Sequence, residues 1–362
     1  MIQRRSATIC ALLLATTTLC AAVSTESQNK FPIFWNVGES SQPKVNVEKY
    51  GFVSRTQTQV GGGCSNPGCK SWSQGMFPTI NTETGETVNG GVPQNADLSL
   101  HLKKIEEMLP DWIPDPEWKG NAVLDFESWT TVWDLNTGHG SWHSNAYQNY
   151  SLYLARKEFP SLNDTQVYTK AKEAFEKAAT TFFVETLKTC KKIRPNAKWG
   201  FYGLPLNGAS CIGTGANTKC GYDMPVYGKI LKEYAEQQMP IWEASDILYP
   251  SIYVPTPMIG EDEKMKAYIT STVNETIRLA KLASKGSGQK GVLPYAWHYY
   301  HNGLNLLDDP AMHASLQIPC DLGADGIVMW GSTAQMKNDS YWSWLEKDAG
   351  PYTKSFECKR GV

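Results

Sequence analysis

The sequence lacks an excess of charge of either sign and lacks any long hydrophobic run. It has 34 Lys and Arg against 36 Asp and Glu, so the net charge is −2 over 362 residues. A nucleic-acid-binding protein needs surplus cations to replace phosphate counterions, so this balance argues against that class. An acidic polymer would have to be bound by a local patch rather than steered by net charge. No apolar stretch reaches the roughly 20 residues that span a bilayer, so no membrane span is expected.

The N-terminus has the pattern of a secretory signal. Arg4 and Arg5 precede an apolar run, Ile9–Leu19, which is followed by small residues. We expect residues 1–23 to be a signal peptide and residues 24–362 to form one domain. Export also agrees with four glycosylation tripeptides, which begin at Asn149, Asn163, Asn274 and Asn338. The predicted location is extracellular, with the lysosome or a venom or secretory gland as alternatives.

The cysteines predict disulfides. Of nine cysteines, Cys10 and Cys20 lie in the predicted signal peptide, which leaves seven, and these indicate disulfides and one odd thiol in an oxidising compartment. Two pairs each enclose a short turn-like stretch: Cys64 with Cys69, and Cys211 with Cys220. Zinc binding is the alternative, but the spacings do not fit and no histidine pair lies nearby, so no metal is expected.

Strand-like and helix-like segments alternate along the chain. The predicted strands are Ile33–Val37, Ala122–Phe126, Trp199–Leu204, Ile247–Val254, Val292–Trp297 and Gly326–Trp330. The predicted amphipathic helices are Leu98–Leu109, Asp164–Ile193, Tyr227–Gln238, Lys264–Ser284 and Pro310–Leu322. Continuous apolar strands separated by helices indicate a parallel sheet that is covered on both faces. The repeat favours an α/β fold of the (β/α) barrel type, and no glycine fingerprint of nucleotide binding follows an early strand.

Two acidic residues follow one predicted strand. Asp125 and Glu127 come after Ala122–Leu124, and side chains two apart on a strand point the same way, with Phe126 pointing the other way. The end of a barrel strand opens onto the active face. Two neighbouring carboxyl groups cannot both ionise freely, so one pKa rises and that group can donate a proton. A helix cap or a solvated acidic pair is the alternative interpretation of so short a motif.

The placement of both carboxylates on one strand does not fit a standard pair that flanks a glycosidic bond. It favours substrate assistance, in which the acetamido oxygen of an N-acetylhexosamine attacks its own anomeric carbon. Glu127 would protonate the leaving oxygen and Asp125 would orient the acetamido group.

Val-Leu-Asp-Phe-Glu-Ser-Trp, residues 123–129, resembles the active-site strand of the hyaluronidase family, glycoside hydrolase family 56. That family holds bee-venom and sperm hyaluronidases and nematode chondroitin hydrolases. Further blocks match in order at Gly75–Pro78, Asn89–Gln94, Arg194–Asn196, Trp199–Tyr202, Tyr249–Tyr253 and Gly323–Ser332. The resemblance implies a distorted, single-domain TIM-like (β/α) barrel, retention through an oxazolinium-type intermediate, and no cofactor.

The resemblance also implies residue roles. It makes Glu127 the proton donor and Asp125 the carboxylate that positions the acetamido group. Sugar-binding roles fall on Tyr202, Tyr253, Trp330, Ser332 and Trp72. Cys211 and Cys220 match a family disulfide. A bridge between Cys190 and Cys320 is a candidate replacement for a family disulfide that is missing here, which would leave Cys358 unpaired.

The sequence departs from the family at two groove arginines. Their positions hold Thr130 and Thr272 here, so we expect weaker binding of uronate carboxylates and leave hyaluronan and chondroitin both open. Histidines are expected at the rim of the cleft instead, where they could be charged in acid; these are His139, His143, His298 and His301.

Two classes of function are consistent with the sequence. The first is a secreted, monomeric endo-β-N-acetylhexosaminidase whose partner is a glycosaminoglycan, hyaluronan or chondroitin. The second is a catalytically weak member of the family that binds carbohydrate or acts as a secreted antigen. The acidic pair with Tyr202 and Tyr253 favours the enzyme, and the threonines favour the alternative.

Overall fold

The computed structural model describes residues 31–37, 45–54, 57–61, 77–139, 143–206, 208–332, 335 and 337–359. Residues Phe31–Val362 form one compact unit. The predicted signal peptide lies outside the described residues, and the domain boundary after residue 23 therefore stays a prediction. No helix within the described residues combines the length and the apolar character needed to cross a bilayer.

Strands and helices alternate over most of the described chain. The strands are β1 Ile33–Val37, β2 Phe52–Val53, β3 Gln57–Gly61, β4 Thr79–Ile80, β5 Thr87–Val88, β6 Asn121–Asp125, β7 Lys198–Phe201, β8 Cys211–Ile212, β9 Lys219–Cys220, β10 Ile247–Leu248, β11 Gly291–Val292, β12 Tyr295–Trp297 and β13 Ile327–Gly331. The helices are α1 Leu98–Trp112, α2 Ala146–Glu158, α3 Asp164–Ile193, α4 Tyr227–Gln237, α5 Met239–Ala244, α6 Asp262–Ser287, α7 Asp309–Leu322, α8 Asp339–Trp344 and α9 Gly350–Ser355.

Parallel pairing arranges the strands as a distorted barrel. β1 pairs with β13 on one side and with β2 on the other. β3, β6 and β7 pair in that order. Bridges from Tyr202 to Tyr249 and from Ser251 to Tyr295 continue the ring, and β12 then pairs with β13. The predicted (β/α) barrel is confirmed.

The side chains of β6 point alternately into the barrel interior and toward the layer of helices. Val123 packs in an inner cluster with Tyr249, Leu293, Tyr295 and Val328. Ala122 and Leu124 point the other way, into the larger cluster that includes the helices. Because side chains alternate along a strand, the side of Val123 is also the side of Asp125. The acidic pair is therefore aimed at the mouth of the barrel interior.

Helix α3 shows why the outer layer forms where the sequence predicts it. The Asn163 side chain accepts a hydrogen bond from the Gln166 N–H, and the Gln166 side-chain oxygen accepts one from the Asn163 N–H, which is a capping box. Nine buried positions at helical spacing then face the core, from Val167 to Cys190. The predicted bounds of this helix match the structure, whereas α2, α5, α8 and α9 were not predicted from the sequence.

Two disulfides lie within the described residues, and one cysteine expectation is wrong. Cys211 is bonded to Cys220, and Cys320 is bonded to Cys358 rather than to Cys190. Among the cysteines that the structure describes, Cys190 is the free one, and it lies on the buried face of α3. Cys320, near the end of α7, instead meets the C-terminal segment. Cys64 and Cys69 lie outside the described residues.

We expect removal of the Cys320–Cys358 bridge to destabilise the fold more than removal of the Cys211–Cys220 bridge. The first closes a separation of 38 residues and the second only 9. Loop-closure entropy then gives about 4 and about 2.5 kcal/mol of unfolding free energy, respectively. Urea titration of the two paired Cys-to-Ser variants measures both losses. A larger loss from the shorter loop would contradict the expectation.

Candidate active site

A cavity of about 510 Å³ opens at the carboxyl ends of the barrel strands. Its described lining combines two acids, five aromatic rings and one turn. The lining residues are Asp125, Glu127, Tyr202, Tyr253, Tyr295, Trp297, His301, Asn302, Gly303, Leu304 and Trp330. A concave, mostly apolar site with a few convergent polar groups is typical of a ligand-binding site.

The two acids share a hydrogen bond in this cavity. Burial raises the pKa of Glu127 well above its ordinary value of 4.5, and the negative charge and hydrogen bond of Asp125 raise it further. Glu127 therefore keeps its proton at pH values where an exposed glutamate is ionised. Because the carboxyl groups are in direct contact, they cannot lie on opposite sides of a sugar ring.

The chain after Glu127 is fixed by buried aromatic packing. Trp129 is fully buried, and its indole N–H donates to the carbonyl of Pro78 at 2.8 Å. The ring of Phe126 stacks on Phe77 at 4.1 Å between centroids and meets Trp129 edge-on at 4.9 Å. Phe126 thus points away from the acids, as period-two alternation predicts. This packing holds Glu127 on a rigid support.

Tyr202 and Tyr253 lie together beside the acids. Their side chains hydrogen-bond to each other, and Tyr202 also bonds to Ser251. Burial is the main reason that both phenol pKa values are raised, and the negative charge of Glu127 adds to it. The two hydroxyl groups therefore remain protonated and are able to donate hydrogen bonds.

Trp330 completes one wall of the cavity. Its ring stacks on Tyr253 at 5.9 Å and meets Trp297 edge-on at 4.9 Å. Ser332, the other predicted residue of this block, does not reach the described lining. Its hydroxyl donates to Gln335 at 2.8 Å, and Gln335 in turn accepts from the Trp297 indole at 2.9 Å.

Sequence reasoning missed Tyr295 and Trp297 as site residues. The Tyr295 hydroxyl accepts a hydrogen bond from the Asn36 side chain at 2.8 Å, which joins β1 to the cavity. The two aromatic residues are two apart on β12, so they lie on the same side of the strand. Period-two alternation, which puts Asp125 and Glu127 on one side of the chain, also predicts that Tyr295 and Trp297 share one side.

The histidines divide into three cases. His301 lines the cavity, as predicted. His298 is instead buried in the core, where its ring is hydrogen-bonded to the Tyr341 hydroxyl at 2.8 Å. Burial lowers the pKa of His298 to about 3. The prediction that His298 is charged at the rim of the cleft is therefore wrong. His143 donates its backbone N–H to the Glu127 carbonyl at 3.4 Å, but the described lining includes neither it nor His139.

The two threonines that we expected to stand in place of groove arginines also lie elsewhere. Thr130 and Thr272 are 3% and 0% exposed, and neither belongs to the described lining. The Thr130 N–H donates to the Asn136 side chain, within the support that follows Glu127. Trp72, the remaining predicted sugar-binding residue, lies outside the described residues.

Comparison with known proteins identifies the family of this chain. The family described as Hyaluronidase matches residues 21–353. The chain belongs to the hyaluronidase family. A hyaluronidase of Tabanus yao is 30% identical over 326 residues, covering 85% of this chain and 86% of that protein. A chondroitin hydrolase of Caenorhabditis elegans is 26% identical over 331 residues, covering 90% and 69%.

The family's fold agrees as well. The crystal structure of bee venom hyaluronidase in complex with a hyaluronic acid tetramer superposes with a TM-score of 0.75 at 28% identity. The match covers 90% of this chain and 99% of that one. The barrel and its order of elements are therefore those of a hyaluronidase.

Proposed function

We propose that the protein is an endo-β-N-acetylhexosaminidase that hydrolyses a glycosaminoglycan, hyaluronan or chondroitin, with Glu127 as proton donor. The observation that supports this most directly is a buried, protonated carboxyl group beside a second carboxyl in an aromatic cleft. Relatives named hyaluronidase and chondroitin hydrolase, and a neighbour that holds a hyaluronic acid tetramer, support the substrate class.

The arrangement supports substrate assistance. The described lining holds no third carboxylate that could attack the anomeric carbon from the face opposite Glu127. The nucleophile is then the carbonyl oxygen of the substrate's own acetamido group. Its attack breaks the bond to the leaving oxygen, which takes the proton of Glu127, and an oxazolinium forms. Water then opens this ring and returns a proton to Glu127, with retention at the anomeric carbon.

The other polar groups act on the same acetamido group. Asp125, bonded to Glu127, accepts the acetamido N–H and balances the positive charge of the oxazolinium. The hydroxyl groups of Tyr202 and Tyr253 stay protonated, and the one whose proton is not engaged by the other donates to the acetamido oxygen and orients it. Trp330 provides an apolar wall for the acetamido methyl group.

A carbohydrate-binding or antigenic role without catalysis remains the second candidate. Burial of one carboxyl group against another destabilises the folded protein. A protein that only binds carbohydrate would gain nothing from such a pair. Digestion of hyaluronan, unsulfated chondroitin and chondroitin sulfate by the purified protein between pH 4 and pH 7 distinguishes the two. Cleavage of any of them supports the enzyme, and binding without cleavage by the folded protein supports the alternative.

Export is proposed on separate grounds. The glycosylation tripeptides all have exposed asparagines, at Asn149, Asn163, Asn274 and Asn338. Disulfides within the described residues also suit an oxidising compartment. On these grounds we propose secretion with removal of residues 1–23, and the monomeric state stays a prediction.

A further inference from the structure

The turn His301–Leu304 forms one wall of the active-site cavity, and its tip carries an unusual side chain. Leu304 is 88% exposed, the highest value among the large hydrophobic residues that the structure describes. Single exposed leucines are common on protein surfaces. This one, however, belongs to the lining of a cavity for which a sugar polymer is the proposed ligand.

The turn is held firmly against the chain segment after β10 that carries Tyr253. The Thr256 N–H and hydroxyl both donate to the His301 carbonyl, at 3.1 and 2.7 Å, and the His301 N–H donates to the Val254 carbonyl at 2.7 Å. A side chain at Gly303 would come within 2.8 Å of the Thr256 hydroxyl oxygen. The backbone of the wall is thus already in place before any ligand binds.

Hydrogen bonds within the turn fix its tip. The Tyr300 N–H donates to the Asn305 carbonyl at 2.9 Å, and the Gly303 N–H donates to the Tyr300 carbonyl at 3.1 Å. Asn302 adopts a left-handed conformation with φ of 64°, which asparagine tolerates better than most residues. Leu304 is therefore presented by an ordered turn.

The chemistry of this wall is apolar rather than ionic. The described lining contains no Lys or Arg, and His301 is its one basic side chain. Burial lowers the pKa of His301, so its ring is neutral near neutral pH. That ring lies 5.8 Å from Tyr253 and 6.0 Å from Trp297, so an aromatic surface leads from the catalytic residues to Leu304.

We propose that Leu304 is a substrate-binding residue that packs against the apolar C–H face of a sugar ring bound next to the reacting N-acetylhexosamine. The inference rests on the proposed function of the same cavity. A bound sugar ring would cover the Leu304 side chain and remove it from water. This would explain why a leucine occupies a position that is almost fully exposed in the free protein. Binding, not the chemical step, should depend on it.

Kinetics of Leu304 variants on hyaluronan and unsulfated chondroitin test the proposal. We expect Leu304→Asn to raise KM about five- to tenfold, since loss of a partly buried leucine contact is worth about 1 kcal/mol or slightly more. The kcat of Leu304→Asn should stay within about twofold of the wild-type value. The Leu304→Met variant, which keeps an apolar side chain, should have the KM of the wild type. Val226→Asn is the matched control, because Val226 is 74% exposed and lines an unrelated surface patch.

The outcomes separate the inference from the proposed function. A KM for Leu304→Asn equal to that of the wild type, or an equal rise in Val226→Asn, would overturn the inference while leaving the hydrolase intact. No cleavage of either polymer by folded wild-type protein would contradict the proposed function, and the inference would fall with it. Because Leu304 is so exposed, its variants should melt as the wild type does.

Discussion

Replacement of Glu127 by Gln is expected to lower kcat by about 10³-fold on any polymer that the protein cleaves, because the amide cannot give its proton to the leaving oxygen. The side chain keeps its size, so KM should change little. Initial rates at saturating polymer, measured by the appearance of reducing ends, give the comparison.

The matched control is Glu176→Gln. Glu176 is a second half-buried glutamate, and burial raises its pKa as well, but its carboxylate accepts the Trp133 N–H outside the cavity. This variant should keep wild-type kcat. An equal loss in both variants would mean that the effect of Glu127→Gln is structural.

Stability gives an independent readout for Glu127→Gln. A carboxyl group whose folded pKa is raised holds its proton more tightly in the folded state, so the wild type loses stability as pH rises above the ordinary value of 4.5. Glutamine does not titrate. The variant should therefore match the wild type in acid and melt at a higher temperature at alkaline pH.

The second large effect is expected from Asp125→Asn, which should lower kcat by about 10²-fold or more and move the alkaline limb of the kcat profile to lower pH. The negative charge and the hydrogen bond of Asp125 help to raise the pKa of Glu127. Once they are gone, Glu127 loses its proton at a lower pH and acid catalysis fails earlier. Burial is the larger cause of the raised pKa, and it remains in this variant. The alkaline limb should therefore still lie at a pH above the ordinary glutamate pKa of 4.5.

Rates from pH 4 to pH 9 for wild type and Asp125→Asn measure this shift. An unchanged or upward-shifted alkaline limb would show that the limb does not report Glu127. A rate within about threefold of wild type would remove Asp125 from the catalytic machinery.

Regular strands are the part of the site that the sequence predicts well. Asp125 and Glu127 follow from period-two alternation next to a buried strand, and the same rule applies to Tyr295 and Trp297. The barrel follows from the alternation of apolar strands with amphipathic helices. These features depend on local periodicity, which a single sequence displays.

Features fixed by contacts distant in the chain were not predictable in this way. His298 and His301 are three residues apart, yet one is buried against Tyr341 and the other faces the cavity. Their difference arises from the irregular chain after β12, where Thr256 holds the His301 carbonyl. The choice of Cys358 over Cys190 as partner of Cys320 likewise depends on where the C-terminal segment meets α7.

The alternative of a weak, carbohydrate-binding family member is tested by polymer digestion, not by where the threonines lie. It drew on the threonines at positions 130 and 272, and both side chains are buried away from the cavity. If Leu304 binds substrate as proposed, the apolar, nearly uncharged wall at His301–Leu304 contributes to which polymer is bound. Substrate preference is therefore better examined at this wall than at the threonines.

The central claim is that the substrate's acetamido oxygen, rather than water, attacks the anomeric carbon while Glu127 donates its proton. Proton NMR of the first product formed from the polymer cleaved fastest, recorded before mutarotation, tests it directly. The account predicts that the new reducing end appears first as the β anomer, because two displacements retain configuration. First appearance of the α anomer would mean direct attack by water and would contradict the account.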